Sequence, residues 1–182
     1  MKKLKKIIKY FGVLILLLIL FRGLLYRTFV NYSEVEVRKS ITLTNQNLIK
    51  EIKKETVGKR LNIEEIITLS NKITSEKLTF TFDKVSSNPN LTFELKKANC
   101  IGYSSLFNSI GNYIIKEQKL TNEYEFIHLV GELDIFGFNV HNLFNSLFFK
   151  DHDFNEIENK HTRESTFVDP SLRDYLRIEY VI

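Results

Sequence analysis

The chain has 182 residues, 43% apolar and 26% charged, an ordinary balance for a globular protein, and its single cysteine excludes an intrachain disulfide framework. The pI of about 9.0 suggests a nucleic-acid binder until the charge is located. Residues 1–30 hold seven of the 26 Lys+Arg and no acid; from residue 31 onward 19 basic side chains meet 22 acidic ones, a net of −3. A phosphate-tracking surface needs cations clustered on the fold itself, so nucleic acid is not an expected partner.

The N-terminus, MKKLKKIIKYFGVLILLLILFRGLLYRTFV, is a cationic head followed by an apolar run. Tyr10–Phe21 carries no charge, but twelve helical residues cover only about 18 Å of a bilayer core of about 30 Å. Extension from Ile7 to Tyr26 gives a segment of spanning length, with Arg22 near one end where it can snorkel. No small-x-small cleavage pattern follows, and Lys2, Lys3, Lys5, Lys6 and Lys9 favour a cytoplasmic start. The expectation is an uncleaved single-pass anchor over residues 1–30, a spacer over 31–43 with at most one extended piece, and an extracytoplasmic domain over 44–182.

Within that domain, NQNLIKEIKKETV reads as a helix ending near Gly58. Asn62 with Glu65 forms a capping-box pattern opening a second helix, which carries Ile63, Ile66, Ile67 and Ile73 on one side. LTFTFD (78–83) alternates as a strand, and SSNPN (86–90) is a loop fixed by Pro89. Tyr103, Leu106, Phe107, Ile110, Tyr113 and Ile114 recur at three- and four-residue spacing, which predicts a helix of about eighteen residues with Cys100 in its first turn. From Glu123 the pattern changes to strands: YEFIHLVGELDIFG, FNVHNLFNSLFF, TFVD and YLRIEYVI, with the polar stretch 150–165 as a loop. The phenylalanine-rich stretch 136–149 reads as sheet core. Helices before an antiparallel sheet make an α+β fold.

Cys100 is the residue with most chemical potential. A thiol attacks as thiolate, and the orphan N–H groups and dipole at a helix start favour negative charge there. The same N–H groups can stabilise an oxyanion. A cysteine nucleophile needs a base, usually histidine, held by a third group. His141 in VHNLF is the first choice for that base and His128 the second. Asp169 in FVDPS, biased toward extended backbone by Pro170, is the orienting carboxylate.

Two other constellations are set aside. Asp151, Asp153 and Asn155 begin like a calcium loop, but Glu156 and Thr162 stand where glycine and glutamate are required. The spacing of His152 and His161 matches no metal-ligand pattern, and no cofactor or metal is expected.

In their order along the chain, NCIGYSSLF, VHNLF and FVDPS resemble the transglutaminase-like family of cysteine enzymes. The resemblance covers roughly residues 60–171. It implies a papain-like core in which the Cys-bearing helix packs on an antiparallel sheet. It also implies acyl transfer from a peptide or other amide through a thioester, with Cys100 as nucleophile, His141 as base and acid, and Asp169 as orienter. The alternative is a non-catalytic domain of the same kind that binds or scaffolds at the envelope.

Overall fold

The computed structural model describes residues 2–143 and 150–181. The apolar N-terminal run forms α1 (Lys2–Leu20) and α2 (Arg22–Phe29), broken at Phe21. No single helix among the described residues is long and apolar enough to cross a membrane. Lys6–Leu20 and Arg22–Phe29 meet that measure only as a pair, bent by 69°. Arg22 and Arg27 tie α2 to the domain: Arg22 donates to the Leu176 and Arg177 carbonyls, and Arg27 to that of Tyr180.

Strand β1 (Val30–Arg38) follows α2 without a linker. The stretch expected as a spacer therefore contributes an edge strand, in antiparallel register with β4 from Val30↔Ile135 to Arg38↔His128. Its mostly exposed, charged side chains suit an edge and erase any apolar period.

The two expected helices are α3 (Gln46–Thr56), capped by Asn45, and α4 (Ile63–Lys77). In the capping box of α4, Glu65 N–H donates to Asn62 Oδ1 at 2.8 Å and Asn62 N–H to Glu65 Oε2 at 2.9 Å. Of the expected strand at 78–83, only β2 (Thr79–Phe80) forms, pairing in parallel with β3 (Lys97–Ala98). Pro89 opens a short helix, α5 (Pro89–Leu95), where a loop was expected.

The helix α6 (Cys100–Glu117) has the expected bounds and is buried on nearly all sides. It packs against α4 on one side and the sheet on the other. A Cβ at Gly111 would lie 2.3 Å from carbons of the Phe126 ring, so glycine there is what lets the sheet approach the helix. Phe107, Phe126, Ile157 and Val168 join helix and sheet in one apolar core.

The main sheet runs β1-β4-β6-β7, with β4 at Tyr124–Ile135, β6 at His152–Asn159 and β7 at Ser165–Val168; the short β5 (Phe138–Asn139) returns along β4. All its pairings are antiparallel, so the α+β class stands.

Four local expectations are corrected. The polar stretch 150–165 is not a loop: β6 within it is an interior strand between β4 and β7. Of YLRIEYVI, Tyr175 and Leu176 end α7 (Pro170–Leu176), which Asp169 caps and Pro170 opens, a first-turn proline being preorganised for a helix, and 177–181 form no strand. FNVHNLFNSLFF begins with β5 and continues as a 3₁₀ turn, Val140–Leu143, while residues 144–149 lie outside the described residues. Phe136 and Phe138, expected in the sheet core, are exposed.

Candidate active site

Cys100 is the first residue of α6. The side chain of Asn99 caps that helix by accepting from Gly102 N–H at 3.2 Å. The thiol is buried apart from its contact with a cleft of about 440 Å³, whose walls are mainly apolar: Phe80, Phe82, Leu133, Val140, Leu172 and Tyr175. His141, Asp151 and His152 also line it.

A polar stripe along α6 sets the height of the thiol against β6. Ser104 Oγ donates to Asp153 O at 2.8 Å, and Asn155 Nδ2 donates back to Ser104 O at 3.2 Å. One turn on, Asn108 Nδ2 donates to Phe126 O at 2.8 Å and to Asn155 Oδ1 at 3.1 Å. Residues four apart share a helix face. Cys100 therefore lies one turn before Ser104 on that stripe, as His152 lies one residue before Asp153 on the strand.

Asp169 is held by the ring of His152. His152 Nε2 donates to Asp169 Oδ2 at 2.6 Å, and the ring lines the same cleft as the Cys100 thiol. The carboxylate is saturated. Tyr32 Oη also donates to Oδ2, at 2.9 Å, while Ser171 N–H and Ser171 Oγ donate to Oδ1 at 3.0 and 2.6 Å. Because the Tyr32 proton is committed to Asp169, the 2.6 Å contact between Tyr26 and Tyr32 hydroxyls has Tyr26 as donor. A hydrogen-bonded chain thus leads from α2 through β1 to the carboxylate.

Electrostatics follow from this wiring. Burial opposes charge on His152, but the Asp169 carboxylate and then the Cys100 sulfur outweigh it and hold its pKa well above the ordinary imidazole value. Burial likewise opposes charge on Asp169. The His152 cation, with hydrogen bonds from His152, Ser171 and Tyr32, prevails and keeps the carboxyl below its usual range.

The expected partnership of His141 with Asp169 is therefore corrected to His152 with Asp169. His141 sits in the 3₁₀ turn rather than in a strand, its N–H donating to Asn139 Oδ1 at 2.9 Å, and it shares the cleft with Cys100. His128, the second choice, serves another network: its Nε2 donates to Asp153 Oδ2 at 2.7 Å, beside Arg38 Nε at 2.6 Å. Among the described residues, no group of three or more His, Cys, Asp or Glu is placed to hold a metal.

Sequence reasoning missed His152, Tyr32 and Ser171. A usable signal for His152 was its place 17 residues before Asp169, a separation that one strand, a turn and a second strand accommodate.

No protein-family model matches the chain, and no curated protein or solved structure matches it either.

Proposed function

We propose that the protein is a membrane-anchored cysteine acyl-transfer enzyme of transglutaminase-like type, with Cys100 as nucleophile, His152 as general base and acid, and Asp169 as orienter. One observation carries this reading: a single half-buried imidazole is bonded to a saturated carboxylate and lines the same cleft as a helix-start thiol. The order Cys, His, Asp and the packing of the Cys-bearing helix on an antiparallel sheet support the papain-like comparison.

In the proposed reaction, the proton of Cys100 is held by His152 as imidazolium beside Asp169, and the thiolate sulfur attacks an amide carbonyl in the cleft. The first-turn N–H groups of α6 face the developing oxyanion. His152 then gives its proton to the leaving amine as the C–N bond breaks and a thioester remains. Water attacks the thioester in hydrolysis, or a second amine in transamidation, with His152 removing the attacking group's proton. Asp169 fixes the ring through Nε2. The apolar walls favour a peptide or other amide that presents an apolar group beside the scissile carbonyl.

The anchor is the bent pair α1 and α2, with its five-lysine head on the cytoplasmic side and the domain outside. Protease shaving of intact cells should reach the domain; complete protection would overturn this topology. For the chemistry, Cys100→Ala should abolish thioester formation with activated acyl donors, detected by intact-protein mass. Equal acylation of wild type and Cys100→Ala would refute the assignment.

A further inference from the structure

The β4–β5 hairpin ends in an unusual turn. Ile135 pairs with Phe138, so its two-residue loop is Phe136-Gly137, with φ of +53° and +80°. Hairpin turns with two positive φ values are normally built from Asn, Asp or Gly, because a bulky side chain is strained there. Phe136 occupies the strained position and is still 66% exposed, and Phe138 beside it is 73% exposed. Water gives no reason to place two phenylalanines on such a tip.

The tip stands beside the anchor. The Phe136 and Phe29 rings lie 4.5 Å apart, and Phe136 N–H donates to Phe29 O at 2.9 Å. Phe29 is the last residue of α2, whose Leu24 is also exposed. The exposed aromatics thus continue the apolar surface of the N-terminal helices, and the lysine-rich head of α1 suits anionic headgroups.

We infer that the Phe136-Gly137-Phe138 tip inserts into the outer bilayer leaflet next to the anchor, as a second membrane contact that fixes the domain's orientation. The occupant of this patch is lipid. The base of the same hairpin supplies Leu133, and the turn after it Val140, to the cleft wall, so insertion holds the cleft against the headgroup layer. This inference rests on the membrane anchor proposed above and not on the proposed chemistry.

The chain contains no tryptophan, so Phe138→Trp in the full chain introduces a single fluorescent reporter. The protein is reconstituted into vesicles of phosphatidylcholine and phosphatidylglycerol, with Val57→Trp, an exposed site after α3, as the aqueous control. The expected result for position 138 is emission shifted to shorter wavelength, quenched by lipids brominated high on the acyl chain and protected from aqueous iodide. Position 57 should show the reverse. Iodide quenching at 138 equal to that at 57, without effect of brominated lipid, would overturn the inference. A blue shift insensitive to brominated lipid and dependent on protein density would also overturn it, since a second copy would then cover the tip. Adding Phe136→Asn should weaken lipid quenching at 138 without lowering thermal stability in detergent. Lower stability with quenching unchanged would make Phe136 only a packing partner of Phe29 and sink the proposal.

Discussion

Strand β6 carries two His–carboxylate pairs on neighbouring residues with opposite outcomes. His152 reaches Asp169 and lines the cleft together with Cys100. Asp153, the next residue, reaches His128 at 2.7 Å and Arg38 at 2.6 Å. Successive strand residues project to opposite faces, so one strand serves both pairs without their meeting. Arg38 closes the second pair: its guanidinium binds both carboxylate oxygens, and neither His128 nor Asp153 lines the cleft that holds Cys100. A histidine beside an aspartate therefore does not make a catalytic site. The group on the imidazole's far side decides, together with whether a substrate can reach it.

The contrast predicts divergent behaviour for two similar substitutions. Asp169→Asn should slow alkylation of Cys100 by iodoacetamide at neutral pH by about 100-fold or more, because the orienting acceptor for His152 is lost. Asp153→Asn should leave that rate nearly unchanged while lowering stability by about 3 kcal/mol in urea unfolding, since Arg38 and His128 lose their buried counter-charge. A similar rate loss in both variants would erase the distinction.

A smaller effect is expected from the stripe that joins helix to strand. Asn108→Ala leaves Asn155 Oδ1 without its donor, while Phe126 O keeps that of Asn112 Nδ2, and should cost about 1–3 kcal/mol. Alkylation of Cys100 in the folded fraction should slow as the thiol shifts along His152.

The two pairs should also separate with pH. Asp169 and Asp153 are both lowered despite burial, through His152 and through His128 with Arg38. Each contributes stability above the unfolded carboxylate value of about 4 that is lost as pH falls through its lowered folded value. His152 is raised, so its contribution is complete below the unfolded value of about 6.5 and fades as pH climbs through the raised folded one. Stability of the wild type should fall at both ends. Asp169→Asn should flatten both limbs and Asp153→Asn only the acid one, read from thermal melts across pH. The smallest change is expected of Tyr32→Phe. It removes one of four donors to Asp169 and should slow alkylation by about tenfold or less.

Much of the scaffold was legible in the sequence where one physical signal dominated. The capping box at Asn62 and Glu65 and the periodic apolar face after Cys100 gave α4 and α6 their starts, because caps and helical periodicity are local. Strand β6 was not legible. Its buried residues include Asp153, Phe154, Asn155 and Ile157, so both faces are inward and polar partners replace the apolar alternation that marks a strand. The partner of Asp169 is hidden for the same reason: read as loop, 150–165 places His152 in solvent, and the neighbours of His141 in sequence favour that residue. Asp169, expected after a strand, also acts as a helix start. Tyr32 was beyond reach because β1, an exposed edge strand, resembles a linker. The donors to Asp169 come from positions 32, 152 and 171, a convergence that only the sheet order brings about.

The most direct test of the account is the pH–rate profile of Cys100 alkylation in three single variants, His152→Ala, His141→Ala and His128→Ala, each checked for folding by circular dichroism. The account predicts that His152→Ala alone abolishes the rate enhancement below pH 8, while the other two retain it to within about threefold. Retention in His152→Ala with loss in His141→Ala would contradict it.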